Sequence, residues 1–361
     1  MGKSTLVRSL DPDRIINLAD ESTFLSYSKD PARLRREIEA LVKPSLIVVD
    51  ELQRLPALTN TIQALLDEKS PHRFILTGSS ARKLKRGGAN LLPGRILLEH
   101  LDPLSIWELG DLFDLERVLH FGSLPEVYLN HEEGPAILSS YTTVYLREEI
   151  QAEAIAKNIG TYARFLDLAA EVSGQWVNYS KMASDSEIPK ETIRRFFTIL
   201  EDTLIAFRIP PFRPKKSERR VSQRDRFIFF DIGVRNAVLG IYANPLSPIE
   251  KGHLFEQWVI LQCLYFIRAQ QKEWRLSSYR TDAGAEVDIV LDVGKKLIAI
   301  EIKSGKNASE AQMKGLQSFE KIAHKPVEKY LVYQGETRQR FSRGEIAIPY
   351  REFFFDLLPT L

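Results

Sequence analysis

Met1-Gly2-Lys3-Ser4-Thr5 opens the chain, and Leu46-Ile47-Val48-Val49-Asp50-Glu51 follows after an intervening strand-like and helix-like pattern. The first stretch is the second half of a glycine-rich phosphate loop of the form GxxxxGK[ST]. The second is an unbroken apolar run ending in two carboxylates, the mark of a strand buried on both faces of a parallel sheet. Backbone N–H groups of such a loop cradle phosphates at a helix N-terminus, where the dipole also favours anions. Gly2, Lys3, Ser4 and Thr5 form the expected nucleotide-binding set. Lys3 would reach the β and γ phosphates, and Ser4 would offer its hydroxyl to Mg²⁺. Asp50, at the C-terminal end of its strand, would hold the metal's water shell, and Glu51 would polarise an attacking water. Ligands of open parallel sheets bind at such strand ends.

The loop pattern also asks for a glycine five residues ahead of Gly2, with a strand before it, and the chain has neither. The expectation is a chain incomplete within its phosphate loop that binds ATP weakly or not at all. The strands ending at Asp50 and Thr77 would then leave backbone groups unpaired, each costing about 1–3 kcal/mol if buried.

Around this pair of segments the pattern alternates. Short strands are expected at Arg14–Leu18, Ser45–Asp50 and Arg73–Thr77, with a last one at Arg95-Ile96-Leu97-Leu98. Helices are expected at Pro31–Val42 and Thr59–Glu68. The alternation implies a parallel-sheet α/β core over residues 1–112. A helical lid or linker follows over 113–160, broken at Gly122–Pro125 and at Gly134-Pro135. Three helices and two strands over 161–232 come next, and then an α/β unit over 233–361. Within Thr77-Gly78-Ser79-Ser80, Ser79 is placed to sense a γ-phosphate, and Arg95 to supply a cation for transition-state charge.

Bulk properties narrow the class. The chain has 361 residues, a net charge of +2 and 44% hydrophobic content, ordinary for a globular protein with room for several cores. A single cysteine, Cys263, excludes an internal disulfide framework and suits the cytoplasm. No apolar run is long enough for a membrane helix, so no membrane partner is expected. The six histidines are scattered and no CxxC occurs, which argues against structural zinc.

Tyr179–Ala183 followed by Pro189–Leu200 has helix-turn-helix spacing. Ile193, Phe196, Phe197 and Leu200 form an inward stripe at helical period, leaving Lys190, Arg194 and Arg195 outward. The two strands after it would form a wing. Between and into them, Arg213–Arg226 holds seven Lys/Arg against two Asp/Glu, including Lys215, Lys216, Arg219 and Arg220. A basic winged helix suits DNA phosphates, so DNA is an expected partner, and a second copy of the chain is another.

Glu286-Val287-Asp288-Ile289-Val290 and Ile298-Ala299-Ile300-Glu301-Ile302-Lys303 read as paired strands. Glu301 and Lys303, two apart, share a face, and Asp288 would meet Glu301 from the neighbouring strand. Two carboxylates on one face repel unless a cation lies between them. The arrangement resembles the PD-(D/E)xK nuclease fold. That resemblance implies Mg²⁺ ligands at Asp288 and Glu301, a catalytic or electrostatic role for Lys303, and an accessory carboxylate at Glu256. It also implies a helix bearing Gln312 and Lys314 facing the site.

Several further segments stand in a familiar order: Leu92-Pro93-Gly94-Arg95, Leu101-Asp102-Pro103-Leu104-Ser105, Gly122-Ser123-Leu124-Pro125-Glu126 and Phe230-Asp231-Ile232-Gly233. With the segments above, they make the whole chain resemble prokaryotic AAA-type ATPases that carry a C-terminal DUF4143 domain. The resemblance implies ATP and Mg²⁺ as cofactors, at Ser4 and Asp50, with Glu51 as the catalytic carboxylate. The expected protein is a P-loop ATPase core, a helical lid, a winged helix and a restriction-endonuclease-like C-terminal domain, in which ATP hydrolysis regulates the rear modules. Two alternatives are a nucleotide-gated switch whose nuclease-like domain is inactive and a non-functional truncated ATPase.

Overall fold

The computed structural model describes residues 2–78, 96–142, 159–214, 222 and 224–361. The chain divides into two compact units, one of Met1–Leu101 with Ile199–Ile205, the other of Asp102–Thr198 with Ala206–Leu361.

The first unit opens with α1 (Lys3–Ser9), then β1 (Arg14–Asn17), α2 (Glu21–Lys29), α3 (Ala32–Glu39), β2 (Leu46–Asp50), α4 (Leu58–Asp67) and β3 (Arg73–Leu76). The three strands form one parallel sheet with β2 in the centre. Ile47, Val48 and Val49 are fully buried, as a strand packed on both faces requires. The core joins Ile16, Leu34, Ile38, Ile47, Val49, Leu58 and Ile62. Helix α2 is not evident in the sequence pattern. Its start is set by Asp20, whose carboxylate accepts from Thr23 N at 2.8 Å.

Two expectations need correction. β2 is paired on both sides, so the strand ending at Asp50 has no open edge. Ile96, Leu97 and Leu98 form no strand; Leu97 and Leu98 are exposed, so this apolar run buries nothing among the described residues. Arg95 lies outside the described residues.

The second unit starts with short helices: α5 (Ile106–Leu109), α6 (Leu115–Phe121), α7 (Pro125–Leu129) and α8 (Gly134–Ser140). Then come α9 (Ile159–Glu171), α10 (Tyr179–Ser186) and α11 (Lys190–Asp202), the last running into the segment that groups with the first unit. β4 (Ala206–Ile209) and β5 (Arg226–Phe229) pair antiparallel. Phe165, Phe196 and Phe197 pack together, and Phe197 stacks on Phe227 of β5 with centroids 4.4 Å apart.

After α12 (Ile232–Val238) comes α13 (Pro248–Ala269). It starts earlier than its apolar run because Ser247, the N-cap just ahead of Pro248, forms a capping box with Glu250. A mixed sheet follows, built from β6 (Arg275–Arg280), β7 (Glu286–Asp292), β8 (Leu297–Lys303), β9 (Val327–Tyr333), β10 (Gln339–Arg340) and β11 (Ile346–Pro349), in the order β10-β11-β9-β8-β7-β6. β6, β7 and β8 are antiparallel neighbours, whereas β9 joins β8 in parallel through α14 (Lys314–Glu320). α14 sets Leu316 and Phe319 into a core with Leu297, Ala299 and Leu331. No described helix is long and apolar enough to cross a membrane.

Candidate functional site

In the first unit the loop residues and the strand ends meet. Gly2 stands at the N-cap of α1 in the left-handed region, at φ 71°, which glycine adopts without strain. Two residues on, within the first turn, Ser4 Oγ donates to Asp50 Oδ2 at 2.8 Å, closing a span of 46 residues. Thr77, just past β3, donates its hydroxyl to the other Asp50 oxygen and accepts Glu51 N–H at 3.2 Å. Asp50 is buried, so two hydroxyl donors fix its rotamer and offset its desolvation. Glu51 sits in the left-handed region at φ 59°, where a side chain is uncommon. That turn points the chain away from β2 as its carboxylate accepts from Gln53. Lys3 is half-buried and Thr5 exposed. Ser79, the residue expected to sense phosphate, lies outside the described residues, as does Arg95. Of the described residues in the segment after β3, Thr77 is the one whose hydroxyl joins Ser4 on Asp50, and its one signal in the sequence is its place directly after the strand.

In the second unit the four expected residues converge. β7 and β8 pair Ile289 with Ile300, which places Asp288 beside Glu301 at the next position. Asp288 Oδ2 accepts from Ile302 N at 2.8 Å, and Lys303 Nζ donates to Glu301 Oε1 at 2.6 Å. Burial pushes the Asp288 carboxyl well above the usual carboxylate range, reinforced by Glu256 and Glu301. Burial likewise lifts Glu301 to about 7, against the pull of Lys303. Both faces of β8 are buried, so Glu301 is itself only 9% exposed. Its Oε2 is buried with no hydrogen-bond partner.

Arg226, expected in the solvated basic wing, is instead 1% exposed. Its Nε donates to Gly174 O at 2.7 Å, its Nη1 to Asp288 O at 3.3 Å, and its Nη2 pairs with Glu256. Trp176 lies under the guanidinium and donates Nε1–H to Glu286 at 2.6 Å. In the sequence Arg226 heads the apolar run Phe227–Phe230, which marks it as a strand residue and names no partner for it. Gln312 does not face the carboxylates: its side chain closes a capping box on Ser309, and Lys314 is exposed at the start of α14. Among the described residues, no group of three or more His, Cys, Asp and Glu is arranged to hold a metal ion.

On α11, Ile193, Phe196, Phe197 and Leu200 are buried, and Lys190, Arg194 and Arg195 are exposed. Arg194 pairs with Glu191 at 2.9 Å and lies over the Tyr179 ring. Lys215, Lys216, Arg219 and Arg220 lie outside the described residues. Cys263 is wholly buried in α13.

Residues 1–110, which carry Ser4, Asp50 and Thr77, match the model of an AAA domain, in keeping with an AAA-type ATPase-like architecture. The rest of the chain matches two domains of unknown function, DUF8612 over residues 112–244 and DUF4143 over residues 251–353. Relatives include uncharacterized proteins of Mycobacterium tuberculosis and Mycobacterium bovis, each 26% identical over 365 residues, covering 96% of this chain and 77% of the relative. An uncharacterized protein of Methanocaldococcus jannaschii is 24% identical over 216 residues, covering 56% of this chain and 43% of its own length. A crystal structure of protein VC1899 from Vibrio cholerae aligns over 96% of both chains at 12% identity, with a TM-score of 0.23 that carries no argument.

Proposed function

We propose that the first unit binds ATP with Mg²⁺ and hydrolyses it, and that nucleotide state regulates the nuclease-like unit that follows it in the chain. The observation that carries this is the contact of Ser4 Oγ with Asp50 Oδ2, which brings the loop hydroxyl and the strand-end carboxylate to one point. An all-oxygen pair of this kind suits a hard divalent cation. Ser4 and Asp50 would hold Mg²⁺, which when bound neutralises phosphate charge during hydrolysis. Thr77 keeps Asp50 aimed at Ser4 and, through the Glu51 N–H, sets the turn that presents Glu51. Lys3, one residue before Ser4, faces the phosphates, and Glu51 orients the attacking water. Glu51→Gln should retain ATP binding and lose about 10²-fold or more of Mg²⁺-dependent hydrolysis. Hydrolysis at the wild-type rate would sink the assignment.

The second unit supports a further reading. The β6-β7-β8 meander, the parallel return of β9 through α14, and the meeting of Glu256, Asp288, Glu301 and Lys303 favour a PD-(D/E)xK-like module. Helices α9 to α11 with the β4–β5 ladder favour a winged helix, with α11 offered to DNA. The carboxylates as they stand do not fit a metal centre, because donors from the chain itself already meet them. That compensation favours the form in which the module docks or switches rather than cuts.

A further inference from the structure

Three carboxylates of the nuclease-like module are already paired with cations of the chain, Glu256 with Arg226, Glu286 with Arg280 and Glu301 with Lys303, while the Asp288 carboxylate accepts the Ile302 N–H. Arg226 uses three different nitrogens on three different segments: the Gly174 carbonyl, the Asp288 carbonyl of β7 and the Glu256 carboxylate of α13. A planar guanidinium suits such a fork, and a point charge would not satisfy it. At 1% exposure this charge is tolerable only because it is paired.

The pairing points the same way. Cations of the chain already meet Glu256 and Glu301, and a divalent ion would have to displace Arg226 to reach Glu256. Glu301 Oε2, buried without a partner, is the acceptor such an ion would find.

We propose that Arg226 is the resident counter-ion of this carboxylate centre, standing in place of the divalent cation the same carboxylates would otherwise attract, so that the module takes up Mg²⁺ or Mn²⁺ only when Arg226 leaves. The inference rests on reading these carboxylates as a nuclease-like set and adds the device that keeps the set closed. The Arg226–Glu256 pair can be reached: Arg226, Glu256, Glu286 and Trp176 line a cavity of about 640 Å³. An anion entering that cavity would compete with Glu256 for the guanidinium.

The test is Mn²⁺ titration of nucleotide-free protein, read by the loss of the free-ion paramagnetic resonance signal, with thermal melting as a check on folding. Asp288→Asn in parallel identifies the binding that belongs to this centre. Wild type should show no Asp288-dependent uptake up to millimolar Mn²⁺. Arg226→Gln should gain one site at least about tenfold tighter, lost again when combined with Asp288→Asn. Asp288-dependent uptake by wild type below millimolar, or a folded Arg226→Gln protein that gains no site, overturns the proposal. If Arg226→Gln does not fold, the wild-type comparison with Asp288→Asn decides alone. Gain of the ion without DNA cleavage would count against a nuclease and leave the role of Arg226 intact.

Discussion

Asp231 explains why two segments that stand far apart in the chain are both so tightly specified. Its carboxylate accepts from Ser123 N at 2.8 Å and from Val234 N at 2.9 Å, so one side chain caps α12 and holds the turn after α6. Gly122, at φ 73°, leaves no room for a Cβ, which would fall 2.1 Å from Asp231 Oδ1. A Cβ on Gly233 would fall 1.9 Å from the Phe121 carbonyl oxygen. The two glycines are therefore dictated by close approach, Gly122 to the Asp231 carboxylate and Gly233 to the Phe121 backbone. Burial outweighs these hydrogen bonds and raises the Asp231 carboxyl to about 6. The folded chain thus keeps a proton that the unfolded chain, with an ordinary aspartate, releases near pH 4. Between those values the native state binds more protons than the unfolded state, so stability falls as pH rises. The fall should total about 3 kcal/mol by pH 7 and level off above the folded value. Urea unfolding of wild type and Asp231→Asn from pH 4 to pH 7 measures it: the difference between them should narrow by that amount as pH rises. A constant difference would show that Asp231 is ionised throughout.

At the scale of elements, what is legible in the sequence follows from periodicity. The run Leu46–Asp50 announces the central parallel strand, because a strand covered on both faces is apolar at nearly every position, whereas its neighbours Arg14–Asn17 and Arg73–Leu76 are shorter and only partly buried. The stripe Ile193, Phe196, Phe197 and Leu200 announces the buried face of α11. Helix α2 is hidden because Glu21–Lys29 has little apolar patterning and depends on its Asp20 cap. Ile96–Leu98 misleads in the other sense, since an apolar run needs ladder partners to be a strand. The candidate site is legible where residues two apart share a face, as with Glu301 and Lys303. It is not legible where distant elements converge: nothing local marks Arg226 as belonging with Glu256 rather than with the basic residues before it. Phe197 tests the packing of α11 on β5. It is buried between the Phe227 and Phe165 rings, so Phe197→Ala should cost about 3–5 kcal/mol in denaturant unfolding. A loss under about 1 kcal/mol would mean that this helix-strand contact is not part of the stable core.

For the molecule as a whole, the net charge of +2 gives no global attraction to nucleic acid, so any DNA contact must come from a local surface. The described surface that offers one is the outer face of α11, with Lys190, Arg194 and Arg195 exposed. Arg194 is partly spoken for by Glu191 and Tyr179, and a phosphate would have to displace that ion pair. Exposed pairs of this kind are worth about 1 kcal/mol or less, so the exchange is not prohibitive. If α11 meets the DNA backbone, the logarithm of the association constant should fall linearly with the logarithm of salt concentration, by about 0.9 for each phosphate neutralised on a duplex. Replacing Lys190, Arg194 and Arg195 together by alanine should weaken binding at low salt and make that slope shallower by about 2–3. Anisotropy titrations of a labelled duplex across a salt series read both effects. A steep slope unchanged by the triple substitution would move the contact to another surface, and a flat wild-type response would remove DNA phosphates from the partners of this unit.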